Sequence, residues 1–319
     1  MRKILITGAL GQIGSELTVK MRSIYGNDNV IMSDLEEKDS HKDIIESGPF
    51  ERIDVLDTKK MAEVVDKYKI NTVVNLAAIL SAVGEKNPAL CWNVNMNGLY
   101  NILQLGREKD LSIFTPSSIA VFGASTPVDD TPQDTIMRPS TMYGVTKVSG
   151  ELLCDYYHLK YGVDTRGVRF PGLISYDTLP GGGTTDYAVH IYYDAIKKKE
   201  YTSFIDKGTK MDMMYMPDAL NAIVKLLEAD GSKLIHRNAF NITAMSFDPE
   251  EIARSIKKYI PEFKLDYDVD PARQAIANSW PNSLDDSAAK AQWGWSPEYD
   301  LDKMTQDMLA KLRIKLNIE

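Results

Sequence analysis

Residues 3–14 read Lys3-Ile4-Leu5-Ile6-Thr7-Gly8-Ala9-Leu10-Gly11-Gln12-Ile13-Gly14. They are a short apolar run of strand type, then glycines in the spacing Gly-x-x-Gly-x-x-Gly, then an amphipathic helical pattern from Ser15 to about Ile24. Strand, turn and helix N-terminus in that order form a cradle for a pyrophosphate. Glycines let the backbone come close, and unpaired helix amides with the positive end of the dipole meet the charge. Gly8, Gly11 and Gly14, with Gln12 and Ile13 between them, are the candidate contacts. The spacing differs from the commoner Gly-x-Gly-x-x-Gly fingerprint, and a glycine triplet alone is also what a tight turn needs. The second strand supports the nucleotide reading: Asn29-Val30-Ile31-Met32-Ser33 ends at Asp34, twenty positions after Gly14. A carboxylate there can bind both hydroxyls of an adenosine ribose and repel a 2′-phosphate. No arginine follows to neutralise one, so the expected cofactor is NAD rather than NADP.

Outward from this unit, residues 40–50 read as a loop and Arg52-Ile53-Asp54-Val55-Leu56-Asp57 as a third short strand, with Asp54 placed to meet the adenine amino group and Val55 beside it. A surface aspartate is the plainer account of Asp54. A helix over 58–69 leads to strand Thr72-Val73-Val74-Asn75-Leu76-Ala77-Ala78, and Leu76, Ala77 and Ala78 are small where a cofactor must lie close. A long helical pattern from about Pro88 to Lys109 contains Asn93-Val94-Asn95-Met96-Asn97-Gly98; strand Leu111 to Pro116, helix Tyr143 to Tyr161 and strand Thr165 to Phe170 follow. Alternation of strand and helix predicts an α/β fold, a Rossmann-type doubly wound parallel sheet with a smaller C-terminal substrate-binding lobe. The expected division is 1–172 for the NAD-binding domain, with 212–236 returning to it, and 173–211 plus 237–319 for the lobe. Pro171, just past the sixth strand, joins the expected cofactor contacts.

Tyr143-Gly144-Val145-Thr146-Lys147 places a phenol and an ammonium on one face of a helical turn. A free phenol ionises near ~10, so a phenolate base at neutral pH needs about 4 kcal/mol of preferential stabilisation, part of which a lysine can supply. The spacing is common by chance, and a solvated lysine on a helix is the bland alternative. Ser118, at the end of an apolar strand, can donate to a substrate oxygen or simply cap a turn.

The chain has 319 residues, 44% hydrophobic content, a formal charge of −8 and a pI near 5.2, with a mean hydropathy of −0.26. That describes a globular chain large enough for two lobes, and the acidic balance disfavours nucleic acid or an anionic membrane as partner. A small-molecule substrate is expected. Cys91 and Cys154 lie in apolar helical patterns with no metal spacing, so no metal site is expected and reduced core thiols of a cytoplasmic protein are. The first strand begins at Lys3, leaving no room for a signal peptide, and no apolar run approaches the ~20 residues of a membrane span. Gly181-Gly182-Gly183 reads as a flexible linker or as a closing loop. Trp293 and Trp295 are expected in the core, whereas Trp280 is divided evenly between core and substrate contact.

Taken together, the glycine loop, Asp34, Leu76-Ala77-Ala78, Ser118-Ile119-Ala120-Val121-Phe122-Gly123 and the Tyr143/Lys147 pair resemble the extended short-chain dehydrogenase/reductases over nearly the whole chain. The dehydratases of that family carry an Asp-Glu pair after the catalytic hydroxyl residue; Ile119-Ala120 stands there, so dehydration lacks its proton donor. The stretches 180–189, 213–215, 240–247 and 273–281 are similar to the short-chain type of L-threonine 3-dehydrogenase. The resemblance implies hydride transfer from the alcohol carbon of threonine to NAD. Tyr143 would be the base, Lys147 would lower its pKa and hold the nicotinamide ribose, and Ser118 would orient the reacting oxygen. It further implies Ser81, Thr184, Thr185 and Trp280 as substrate contacts, and a homodimer built on the helices near 95–109 and 143–160. Two rivals are a nucleotide-sugar epimerase that retains its NAD, and a non-enzymatic NAD-responsive binding protein, which would be expected to have lost Tyr143 or Lys147.

Overall fold

The computed structural model describes residues 2–177 and 183–318. From the N-terminus run β1 (Ile4–Thr7), α1 (Gln12–Tyr25), β2 (Val30–Asp34), α2 (Lys42–Glu46), β3 (Phe50–Arg52), α3 (Thr58–Tyr68), β4 (Thr72–Asn75), α4 (Ser81–Lys86) and α5 (Pro88–Trp92). Then come α6 (Gly98–Lys109), β5 (Ser112–Phe114), β6 (Ser117–Ser118), α7 (Met142–Tyr161), β7 (Asp164–Arg166), β8 (Val168–Phe170) and β9 (Gly172–Ile174). The remainder is α8 (Tyr187–Lys198), β10 (Glu200–Ser203), β11 (Met211–Tyr215), α9 (Met216–Glu228), β12 (Phe240–Asn241), β13 (Met245–Phe247), α10 (Pro249–Lys257), β14 (Lys264–Tyr267), α11 (Pro271–Ala277), α12 (Ser287–Trp293) and α13 (Leu301–Leu316).

These elements form two compact units, Met1–Val121 with Pro139–Arg169 and Leu220–Phe240, and Phe122–Arg138 with Phe170–Ala219 and Asn241–Glu319. The first holds a six-stranded sheet in the order β3-β2-β1-β4-β5-β7, every pair parallel. Ile4 faces Val30 on one side and Thr72 on the other, so the strand order reverses between β1 and β4. In doubly wound sheets that reversal opens the ligand crevice at the carboxyl ends of the strands. β1 and β4 are buried along their whole length, as expected of strands covered on both faces. Leu5, Ile31, Val73 and Ile113 pack under Leu103 and Ile102 of α6 and Cys154 of α7.

Several elements fall elsewhere than their sequence suggests. The third strand occupies 50–52 rather than 52–57, and the expected loop over 40–50 contains α2. The pattern over Pro88–Lys109 is helical throughout but passes through a π-helical turn at Asn93–Asn97. The expected strand 165–170 breaks at Gly167 because its partners change. β7 pairs with β5, whereas Gly167 N donates to Arg237 O at 3.3 Å and Gly167 O accepts from Phe240 N at 3.1 Å. Residues 122–138 and 212–219 group with the second unit, although the sequence reading assigns them to the first.

The second unit has its own core, in which Tyr187 and Tyr192 of α8, Tyr215, Phe247, Met304 and Met308 are almost fully buried. Its strands form a sheet β13-β11-β9 and a parallel pair β10-β14. Trp295 is buried, but Trp293 is only half-buried, its ring centroid 5.6 Å from that of Trp295, so one of the two expected core tryptophans lies at the surface of the packing.

Candidate active site

The turn after β1 is built by backbone approaching backbone. Gly8 has φ +66°, and a Cβ on it would stand 2.7 Å from Ala77 N; one on Gly14 would stand 2.5 Å from Gly8 O. Neither position tolerates a side chain. α1 begins at Gln12 after Gly11, with no side chain capping its first turn and no acidic residue in it, so its amides stay available to an anion. The Gln12 side-chain amide nitrogen is buried without a partner. A tight cradle, open helix amides and an orphaned donor fit a dinucleotide pyrophosphate.

Asp34 ends β2 beside this turn, its Oδ2 accepting from Leu10 N at 2.9 Å and its Oδ1 from Leu35 N at 2.8 Å. Both oxygens of the carboxylate are thereby held beside the glycine turn. Two cations stand beside it: Arg52, brought by the β2–β3 register opposite Asp34 and donating to Leu35 O at 3.3 Å, and Lys38, four residues on in the chain, whose Nζ reaches Leu10 O at 3.5 Å. Asp54 lies in the turn after β3, exposed, its Oδ1 accepting from Leu56 N at 2.9 Å. Val55 turns its side chain into the core against Gly98 and Leu99, and its carbonyl accepts from Asn101 Nδ2 at 3.1 Å. Leu76, Ala77 and Ala78 follow directly on β4 and line a pocket with Asn95, Lys147 and Glu151.

α7 carries the phenol and the ammonium. Thr141 caps it, accepting from Gly144 N at 3.0 Å, and Gly144 allows the close approach to the 117–121 segment: a Cβ there would stand 2.2 Å from Ala120 O. Ser118 Oγ forms a side-chain hydrogen bond with Tyr143 and accepts from Ala120 N at 3.2 Å. Lys147 Nζ donates to Pro116 O at 2.7 Å and stands 5.4 Å from the centre of the Tyr143 ring. Ser118 and Tyr143 are therefore joined by a hydrogen bond, with Lys147 one turn further along α7, and Lys147 lines the pocket that Ala77 and Ala78 also line.

The electrostatics differ from the expectation that Lys147 depresses the phenol. Burial pushes Tyr143 up to about 12, with the Ser118 hydrogen bond pulling the other way, while burial pushes Lys147 down to about 8, with Glu151 foremost among the groups resisting. The cause is geometric, since the ammonium bonds a carbonyl rather than the phenol and both groups are desolvated. As pH rises, Lys147 gives up its proton before Tyr143 does.

Sequence reading quotes the Asn93–Gly98 run without a role, and the structure supplies one for Asn95. Its side chain accepts from Ile79 N at 2.8 Å and donates to Ile79 O at 3.0 Å and to Thr146 Oγ1 at 3.1 Å, tying the segment after β4 to α7 one residue before Lys147. The π-helical turn around it is a common mark of a functional site. Ser81 opens α4, which packs against α7. Pro171 is buried between β8 and β9. In the second unit, Thr184 and Thr185 form the turn that leads into α8, α11 packs against that turn, and Trp280, just after α11, lies partly buried against the core. The expected lid falls at Gly181 and Gly182, outside the described residues; Gly183 bonds the Asp186 side chain through its amide.

The model of a family described as NAD dependent epimerase/dehydratase matches residues 4–243. An uncharacterised epimerase/dehydratase from Staphylococcus saprophyticus is 58% identical over 319 residues, covering 100% of this chain and 99% of its own. Among solved structures, L-threonine dehydrogenase from Clostridium difficile is 65% identical with a TM-score of 0.97, covering 99% of this chain and 98% of that one. A monomeric L-threonine 3-dehydrogenase from a metagenome is 45% identical with a TM-score of 0.92, covering 98% and 99%.

Proposed function

The chain belongs to the NAD dependent epimerase/dehydratase family, and we propose that within it the protein oxidises L-threonine at the 3-hydroxyl to 2-amino-3-oxobutanoate. The observation that carries this reading is the shared site of Ser118, Tyr143 and Lys147 beside the nucleotide cradle, in a chain 65% identical along its length to an L-threonine dehydrogenase. NAD, when bound, accepts the hydride and brings positive charge to the site.

Ser118 orients the substrate hydroxyl, and Tyr143, as the phenolate that the positive charges of Lys147 and bound NAD would favour, receives its proton as the C–H bond at the same carbon is broken. Lys147 contributes as a cation, favouring the phenolate in the transition state and reaching the nicotinamide ribose. Ser81, Thr184, Thr185 and Trp280 hold the amino acid, with hydroxyls and backbone amides rather than an arginine receiving its carboxylate. A neutral clamp binds a zwitterion weakly, which places the Michaelis constant at or above the high end of the usual ~1 μM–1 mM range. The active form is a homodimer through α6 and α7, which expose Tyr100, Leu152, Tyr156 and Leu159.

The test is NADH absorbance on mixing protein and NAD with L-threonine, L-serine and UDP-sugars. NADH formed with L-threonine alone is the expected result. Stoichiometric retained NAD, no net NADH and interconversion of a UDP-sugar would replace this reading by an epimerase.

A further inference from the structure

Behind Lys147 lies a buried ion pair that the proposed reaction does not use directly. Glu151, Arg169 and Ser117 are 6%, 4% and 7% exposed. Arg169 Nε donates to Glu151 Oε1 at 3.0 Å and Nη2 to Oε2 at 2.8 Å, a two-pronged grip from β8 onto α7, and Ser117 Oγ donates to the same Oε1. Glu151 follows Lys147 by four residues and Tyr143 by eight, so all three lie along one face of α7. Glu151 and Lys147 line the same pocket. We propose that Glu151, fixed by Arg169 and Ser117, is a positioning residue for Lys147: its carboxylate keeps the ammonium charged while Tyr143 takes the substrate proton, and Arg169 limits how strongly it does so.

The bland account is a clamp that joins α7 to β8. A clamp with no other duty does not need its carboxylate in the lysine's pocket, and buried pairs of this kind add little net stability over apolar residues of similar volume. The other groups facing Lys147 cannot replace Glu151. Cys91 from α5 and Cys154 from α7 are thiols that burial pushes up and so keeps neutral. Asp155, beside Glu151, is directed to Asn238, and Tyr143, held by burial as a neutral phenol until the cofactor would add its positive charge, brings no resting negative charge to the lysine. Glu151 is the one carboxylate among the groups that act on Lys147. Without it, desolvation would carry the loss of the lysine's proton further down, into the neutral range in which Tyr143 is to accept the substrate proton.

The proposal rests on Lys147 being the catalytic cation, so its test has one arm that needs no substrate. The titration of Lys147 is followed by NMR of labelled lysine in the NAD-bound protein, assigned by Lys147→Arg, in the wild type, Glu151→Gln and Arg169→Met. The midpoint falls by about one pH unit or more in Glu151→Gln and rises in Arg169→Met, since removal of a neighbouring charge commonly moves a buried group that far. The high-pH limb of kcat for L-threonine moves with it in each variant. A clamp alone would lower the thermal midpoint of both variants and leave the lysine titration in place, and that result would overturn the proposal. Should Glu151→Gln not fold, Glu151→Gln/Arg169→Met removes both charges and leaves none buried alone; the Lys147 midpoint falls there too, and an unmoved one refutes the idea. Absence of threonine oxidation with a moving lysine titration would count against the substrate, not against Glu151.

Discussion

Arg166 and Arg169 are three residues apart, both buried, and both paired with a carboxylate, yet they face different things. Arg166 bonds Asp164 through Nε at 3.0 Å and sends Nη1 to Leu226 O, Leu227 O and Ala229 O at 2.7, 3.1 and 2.7 Å. These carbonyls belong to the last turn of α9 and the residue beyond it, where the regular helix bonds run out; Leu226 O also accepts from Ala229 N at 3.3 Å and Leu227 O from Arg2. Arg169 instead gives two of its donors, Nε and Nη2, to Glu151, whose carboxylate lies in the pocket with Lys147. Burial and ion pairing alone thus do not mark a functional group. What the pair reaches does: Arg166 carries the Asp164 pair to a helix end, Glu151 carries the Arg169 pair to the pocket of Lys147, the proposed catalytic cation, and the third carboxylate, Asp34, stands at the glycine turn.

The largest effect belongs to the group the Glu151 side serves. Tyr143→Phe removes the proton acceptor and keeps the ring, so kcat should fall by ~10²–10⁴-fold while NAD affinity, read by fluorescence titration, changes little. Near-normal turnover would mean that another group is the base and that the contrast between the two arginines has no catalytic side. On the structural side, Arg166→Met takes one of two arginines from Asp164, which Ser112 and Arg237 still hold, and removes the side-chain donor to three carbonyls, so urea unfolding should report a loss of about 2 kcal/mol with the pH dependence of kcat in place. A displaced pH limb in that variant would erase the distinction between the two arginines.

The parts of this picture that were legible in the sequence are those written within a few residues of one another. The glycine turn, Asp34 twenty positions on and the Tyr143/Lys147 spacing each need one strand end or one helical turn to be read, and the parallel sheet follows from alternation. Arg52 beside Asp34 depends on the register of β2 on β3, and the third strand itself ends at Arg52 rather than running on to Asp57, because Asp54 closes a turn with Leu56 and Asp57. Arg169 meets Glu151 only through the packing of β8 on α7. Extending the helical period from Tyr143 through Lys147 to Glu151 would have flagged the carboxylate, and an asparagine-rich run inside a helical pattern, unfavourable by propensity, would have flagged Asn95. The regrouping of residues 122–138 has no local signal at all.

A smaller effect is expected at the third carboxylate. Asp34→Asn removes the charge that repels a 2′-phosphate and leaves Arg52 and Lys38 beside the site, so the ratio of kcat/KM for NAD over NADP should narrow by about tenfold or more. An unchanged ratio would show that the carboxylate does not face the ribose. The smallest belongs to an uncharged contact in the second unit: Thr185→Ala deletes one hydroxyl, so the threonine KM should rise by about two- to tenfold, the worth of one hydrogen bond, at nearly constant kcat. A fall in kcat with KM unchanged would take Thr185 out of the substrate clamp.

The claim on which all of this depends is that the hydrogen leaves C3 of threonine as hydride. L-threonine deuterated at C3, incubated with the protein and NAD, should transfer one deuterium to each NADH formed, read by mass spectrometry of the isolated cofactor, and Tyr143→Phe should suppress that transfer. Deuterium retained in threonine with no labelled NADH, from protein shown to bind NAD, would contradict it.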